Sequence, residues 1–245
     1  MKDVYFLSSL PRAGNTLLGS IINQSKYVKL TANTILSDVL YQLQLIKDTE
    51  IYKNFPDEKS LDNIIKNVFN NYYKEWNADN IITRSVWGTP TNLEILKSII
   101  AKPKFIILYR PVLECLASFI KIEKPIDIQT RCYNLMSHKG IIGKSLWSIK
   151  NIIKEKENYV IIHYRDFIEN PNQEIKKIFD FLEIPFTNFN LSNLKQFSTN
   201  NVSYDDSVNN APLHTIRTKK IKLNKYSIEE YLPINVIKQY SNLDI

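Results

Sequence analysis

The sequence predicts an α/β fold, a three-layer sandwich in which a central, mainly parallel sheet is flanked by helices. Three observations predict it. Short runs rich in β-branched and aromatic residues recur along the chain and are separated by stretches with helical periodicity, a βαβα alternation. The runs are apolar throughout rather than alternating, as expected of parallel strands covered on both faces. Finally, 245 residues suffice for one substantial core, and the scattered Pro and 5 Gly mark no linker, so residues 1–245 read as a single domain.

The elements follow in order. Val4 to Leu7 begin a strand that breaks at Leu10-Pro11-Arg12-Ala13-Gly14-Asn15-Thr16, after which apolar periodicity resumes as a helix through Ile22. An extended piece at 27–30 precedes amphipathic helical patterns at 35–46 and 61–76. Ile81-Ile82-Thr83 reads as a buried strand and 91–100 as a helix. Residues 104–109, Lys-Phe-Ile-Ile-Leu-Tyr, form the clearest strand and run into Arg110-Pro111, where proline starts another helix. One or two helices fit 128–154, a strand fits 159–164, and a helix fits 173–182. Residues 192–206 are polar and aperiodic, a loop or lid, and 228–240 hold a terminal helix. Ligands of such sheets lie beyond the C-terminal ends of the strands, and these ends carry Pro11-Arg12, Arg110 and Tyr164. All three should face one crevice.

Composition excludes several classes. The formal charge is +7, but Lys is dispersed among Ile and Asn without the aromatic-interleaved stripe of a nucleic-acid surface; the exception is Lys219, Lys220, Lys222 and Lys225. A polyanionic nucleotide or an acidic substrate accounts for the surplus equally well. No run approaches the ~20 apolar residues of a membrane span, and no signal-peptide pattern opens the chain, so a cytoplasmic protein is expected. Cys115 and Cys132, on apolar-periodic stretches, read as buried free thiols in a reducing compartment rather than as a bridge or metal site.

The junction at 10–16 is an anion site in outline. The unpaired amides of the first helical turn point out of the loop, and the helix dipole adds roughly half a positive charge. It is not a Walker A loop, which needs an initial Gly and a Lys before the hydroxyl residue. Arg12 is its only cation, Gly14 permits close backbone approach, and Thr16 places a hydroxyl at the helix start. A second pattern sets Arg110 at a strand end and Ser118 about two helical turns later, within reach of one phosphate.

Leu10-Pro11-Arg12-Ala13-Gly14-Asn15-Thr16-Leu17-Leu18 resembles the P-R-S-G-T-T-L-L loop of sulfotransferases, a P-loop-like family. The resemblance implies that Arg12, Ala13, Gly14, Asn15 and Thr16 bind the 5′-phosphosulfate of 3′-phosphoadenosine-5′-phosphosulfate (PAPS). Ala13 and Asn15 replace the usual Ser and Thr, which removes two hydroxyls and leaves the amides. Residues 105–119 are similar to the family's second cofactor element and imply that Arg110 and Ser118 bind the 3′-phosphate. Residues 162–171 and 178–185 resemble its "Y-E-D-L", "N-P" and "F-L-x-I-P" elements, which puts Tyr164 near the nucleotide; Arg165 replaces the common Glu, and His163 reads as a strand residue. Residues 213–220 lie where relatives close a basic segment over the cofactor, so Arg217 and Lys219 are expected to bind phosphate, with Lys220 as substitute.

The resemblance therefore implies sulfuryl transfer from PAPS without a metal, releasing 3′-phosphoadenosine 5′-phosphate (PAP). The match is nearest to the tyrosylprotein sulfotransferase-like branch, of bacterial or viral type. Transfer needs a base, cations on the leaving phosphate and in-line geometry. Arg84 lies near the catalytic Lys of that branch and would act electrostatically, because guanidinium does not readily donate a proton. The branch's catalytic Glu falls on Asn33, which is no base. Asp38, one turn later, and His214 are the candidates for that role, while His138 reads as exposed. The acceptor is a small molecule, a glycan or a peptide, contacted by 34–76 and 129–147. The alternatives are a sulfotransferase-like nucleotide-binding module impaired in turnover and a nucleotide-dependent phosphotransferase, against which the missing Lys-Thr pair argues.

Overall fold

The structure is a computed structural model and describes residues 2–209, 212–216, 221 and 227–245. The chain runs β1 (Asp3–Ser9), α1 (Asn15–Ile22), β2 (Val28–Asn33), α2 (Leu36–Leu45), a 3₁₀ turn, α3 (Glu50–Asn54), α4 (Glu58–Tyr72), β3 (Asn80–Arg84) and α5 (Pro90–Ile99). It continues through β4 (Lys104–Tyr109), α6 (Val112–Glu123), α7 (Ile128–Met136), α8 (Ile141–Lys154), β5 (Asn158–His163), α9 (Tyr164–Glu169) and α10 (Pro171–Leu182). The two-residue strands β6 (Ser198–Thr199) and β7 (Val202–Ser203) follow, and α11 (Ile234–Tyr240) ends the order.

Five strands form one sheet in the order β2-β3-β1-β4-β5, every ladder parallel. The predicted α/β sandwich is the observed fold. Its strongest strand, β4, has the bounds its β-branched and aromatic run predicts, and only Lys104 escapes full burial. Phe6 of β1 anchors an aromatic cluster, edge-on to Trp87 at 5.2 Å and tilted against Phe105 at 5.6 Å. Proline opens α5 and α10 at the first turn, where no amide partner is lost. Asp57 and Asp127 cap α4 and α7 by accepting from the Ser60 and Thr130 amides.

Differences from the sequence reading have local causes. The helix at 61–76 ends at Tyr72, because Tyr73 turns inward to place its hydroxyl 2.6 Å from Thr83 Oγ1 and its ring edge-on to Trp76 at 4.9 Å. The apolar period therefore outlasts the helix. Residues 128–154 are two helices, separated where Gly140 caps α8. Tyr164 opens α9 rather than closing its strand. The polar segment 192–206 is not wholly a loop: β6 and β7 pair antiparallel about Asn200 and Asn201, whose φ of 48° and 62° fit a tight hairpin turn. Helix α3 went unread because five residues carry no full amphipathic period.

Cys115 and Cys132 are buried free thiols; burial pushes them up to about 12 and about 11. Among the described residues no helix is long and apolar enough to cross a membrane. The C-terminal segment is tied to the sheet through Asp244, which accepts from the Tyr109 hydroxyl and, at 3.0 Å, from the Val112 amide. Asp244→Ala strands both donors and is expected to cost about 1–3 kcal/mol in urea unfolding.

Candidate active site

Strand β1 lies between β3 and β4. Its own connection leads to β2 on the β3 side, whereas that of β4 leads to β5 on the other, so the chain direction divides beyond Ser9 and Tyr109. A crevice is expected at such a division. A cavity of about 710 Å³ opens there, within the ~300–1,000 Å³ range of small-molecule sites.

Its floor is the turn between β1 and α1. Arg12 and Gly14 both take left-handed backbone, φ 64° and 93°. The Asn15 side-chain amide donates to Leu10 O at 2.8 Å and holds the turn closed. Leu18 is the first amide to bond within the helix, to Gly14 O at 2.9 Å. The amides of Gly14 to Leu17 thus precede the first helical turn, without a side-chain cap, as a preformed anion cradle. A Cβ on Gly14 would come within 3.3 Å of the Tyr164 ring, so glycine here serves both the backbone conformation and a close approach.

On the β4 side, the Arg110 guanidinium is buried and lies over the Tyr164 ring at 4.3 Å. It donates to Arg12 O at 3.0 Å and to Glu114 Oε2 at 3.0 Å, and Glu114 also meets Arg165 at 3.6 Å. Arg12 in turn donates through Nε to Ser118 Oγ at 3.2 Å and to the Leu213 carbonyl. Arg12, Arg110 and Ser118 therefore form one connected group against one cavity.

On the β3 side, Arg84 is 9% exposed. It donates to Ser9 Oγ and to the Tyr204 hydroxyl, each at 3.2 Å, and no carboxylate pairs with it among the described residues. A buried cation with only neutral partners is costly unless an anion completes its surroundings. Asp38, exposed on the first turn of α2, and Asn33 line the same wall. Ser37 Oγ, 2.5 Å from Ser85 Oγ, ties α2 to the end of β3.

Above these, the Tyr204 ring stacks on His214, centroids 3.8 Å apart and planes 4° from parallel. His214 Nδ1 lies 2.6 Å from Asp206 Oδ1, and its amide donates to Asp206 Oδ2 at 3.0 Å. Burial works against ionisation of Asp206, but the two His214 contacts outweigh it and hold the carboxyl below the usual range.

The Sulfotransferase domain family model matches residues 2–236. The chain belongs to this sulfotransferase family. The sulfotransferase domain of the curacin biosynthetic pathway superposes with a TM-score of 0.59 at 16% identity, covering 98% of each chain. Mouse sulfotransferase SULT7A1, complexed with PAP, gives 0.58 at 14% identity over 99% of this chain and 83% of its own. The sulfotransferase domain of the Synechococcus PCC 7002 olefin synthase gives 0.52 at 17% over 76% and 74%. At these identities the likeness is one of fold. No curated protein matches the sequence significantly.

The sulfotransferase cavity brings Arg12, Gly14, Asn15, Thr16, Arg110, Ser118 and Tyr164 together, and with them Arg84, Asp38 and His214. Ala13 is near the others in sequence, but its side chain is fully buried, which leaves only its backbone for a ligand. Arg217 and Lys219, with Lys220, lie outside the described residues. His163 is exposed and edge-on to Tyr109, and His138 is exposed. Sequence reasoning missed Tyr204 and Asp206, in a segment with no periodicity, and placed 129–147 on the acceptor wall without singling out Lys139, Lys144 and Ser145. It also missed Lys121 and Ile122, whose spacing from Ser118 on α6 already placed them on the same face. Among the described residues no group of three His, Cys, Asp or Glu side chains is placed to hold a metal.

Proposed function

We propose that this chain, acting as one domain over residues 1–245, transfers a sulfuryl group from PAPS to a hydroxyl or amine of an acceptor and releases PAP. The observation that carries this reading is the convergence of Arg12, Arg110 and Ser118 on one cavity beside the first turn of α1. The residues present suit a bis-phosphorylated nucleotide. The amides at the uncapped start of α1 border the cavity, and two guanidiniums line it beside them.

The donor supplies an activated sulfuryl group on a phosphate leaving group. The amides of Gly14 to Leu17, with Arg12, stabilise the charge that grows on the 5′-phosphate, and Arg110 with Ser118 holds the 3′-phosphate. Tyr164 supports Arg110 from below as a contact of the nucleotide. Arg84 neutralises the sulfuryl oxygens in flight, which matches its burial without an acidic partner. As the acceptor oxygen bonds to sulfur, the sulfur–oxygen bond to phosphate breaks, its electron pair leaves with PAP, and the acceptor proton passes to His214. Ionised Asp206 accepts the Nδ1 proton of His214, which leaves Nε2 as the acceptor of that proton. Asp38 is the competing base, and Asn33 at the wall is the feature that favours the alternative of a nucleotide-binding module without turnover.

Two assays test the reading. Calorimetry should record PAP binding to the wild-type protein, and absence of binding overturns it. Transfer of ³⁵S from labelled PAPS to a broad acceptor panel separates an enzyme from a binding module. Gly14→Ala should weaken PAP about 5- to 30-fold, because left-handed backbone costs a non-glycine residue about 1–2 kcal/mol, which draws the free turn out of its binding conformation, and Tyr164 must shift from under Arg110.

A further inference from the structure

The far wall of the cavity carries more positive charge than the donor reading uses. Lys139 precedes α8, Lys144 and Ser145 lie on its second turn, and all three line the cavity. Neither lysine pairs with a carboxylate among the described residues. Ser145 is 9% exposed, and its hydroxyl faces the cavity without a partner among those residues. The amides at the start of α8 have no side-chain cap at Gly140.

The packing of α8 fixes where this group stands. One turn beyond Ser145, Ser148 Oγ lies 3.5 Å from Ser8 Oγ of β1 and accepts from the Gly88 amide at 2.9 Å, just past β3. The body of helix α8 therefore packs over β1 and the segment just past β3, whereas its start packs on the end of α7. Among the described residues Asp38 is the one carboxylate lining the cavity, against Arg12, Arg84, Arg110, Lys121, Lys139 and Lys144.

We propose that the acceptor is itself anionic, and that a carboxylate, phosphate or sulfate group of the acceptor is seated on Lys139, Lys144 and Ser145 while its nucleophile faces the sulfuryl position. The proposal rests on the donor reading above. With a neutral acceptor the two lysines and the Ser145 hydroxyl keep only water as partner, whereas an oxyanion takes charge-assisted hydrogen bonds from all three. Choice among acceptors then follows from charge, with neutral isosteres left facing unmatched cations.

The test is calorimetric titration of inorganic phosphate into protein saturated with PAP, with acetate and sulfate as parallel arms that tell which oxyanion is preferred. Phosphate should bind, and binding should weaken about tenfold or more in Lys139→Gln/Lys144→Gln, the loss expected of a charge-assisted contact. Lys139→Arg/Lys144→Arg should restore it, and Ser145→Ala should weaken it less. Absence of phosphate binding overturns the proposal, as does binding unchanged in the Gln double variant. A double variant that loses PAP affinity instead reassigns the lysines to the donor. PAP titration of wild-type protein is read separately, so failure of the donor site and failure of the acceptor site give different results.

Discussion

Arg110→Ala is expected to weaken PAP binding by about 10²–10⁴-fold while the protein stays folded. Its guanidinium is 4% exposed, stacked on Tyr164 and bonded to Arg12 O, so it supplies charge and also holds the phosphate turn in place. Loss of two charge-assisted hydrogen bonds at about 1.5–3 kcal/mol each gives that range. Removing the guanidinium also takes from Glu114 its ion pair with Arg110 at 3.0 Å, so that carboxylate adds repulsion to the lost attraction. Arg110→Lys should recover only part of the affinity, because an ammonium cannot both lie flat on Tyr164 and donate to Arg12 O. Calorimetry with PAP measures this, and thermal unfolding checks that the variant is folded. Unchanged affinity in Arg110→Ala would place the nucleotide elsewhere.

His214→Asn is expected to lower kcat by about 10²–10⁴-fold with PAP affinity nearly unchanged, the usual contribution of a positioned general base. Asp206→Asn should lower kcat less, because the imidazole remains but loses the acceptor that fixes its tautomer. The two effects should not add, since Asp206 acts only through His214. A structural role for Asp206 would lower stability alone. Thermal unfolding beside kcat separates the cases: a structural role moves the unfolding midpoint, and a positioning role moves kcat. Asp38→Asn should leave kcat within a few-fold. If Asp38→Asn carries the large loss and His214→Asn does not, the base has been assigned to the wrong wall.

The sequence was legible wherever a structural or chemical demand is local. Residues 104–109 announced β4 because a strand buried on both faces must be apolar throughout. Leu10 to Thr16 announced the turn after β1 because a tight strand-to-helix turn needs particular residues at particular positions, and the helical spacing of Arg110 and Ser118 announced that both face one cavity. The base was legible only as a choice between Asp38 and His214. What favours His214 is its contact with Asp206 and Tyr204, and Tyr204 reaches Arg84 across 120 positions of sequence. No periodicity records such a meeting. Lys139 and Lys144 fell within the 129–147 stretch expected to contact the acceptor but were not singled out there, because a lysine at a helix start usually faces solvent. Asn33 stands where the resemblance leads one to expect a carboxylate, and the base proposed in its place comes from a different segment of the chain.

The most direct measurement is a crystal structure of the protein with PAP. The account predicts the 5′-phosphate on the amides of Gly14 to Leu17 beside Arg12, the 3′-phosphate against Arg110 and Ser118, and open space toward Arg84, His214 and Lys144. A nucleotide bound with its two phosphates in separate hollows, or with neither touching the turn after β1, would contradict it.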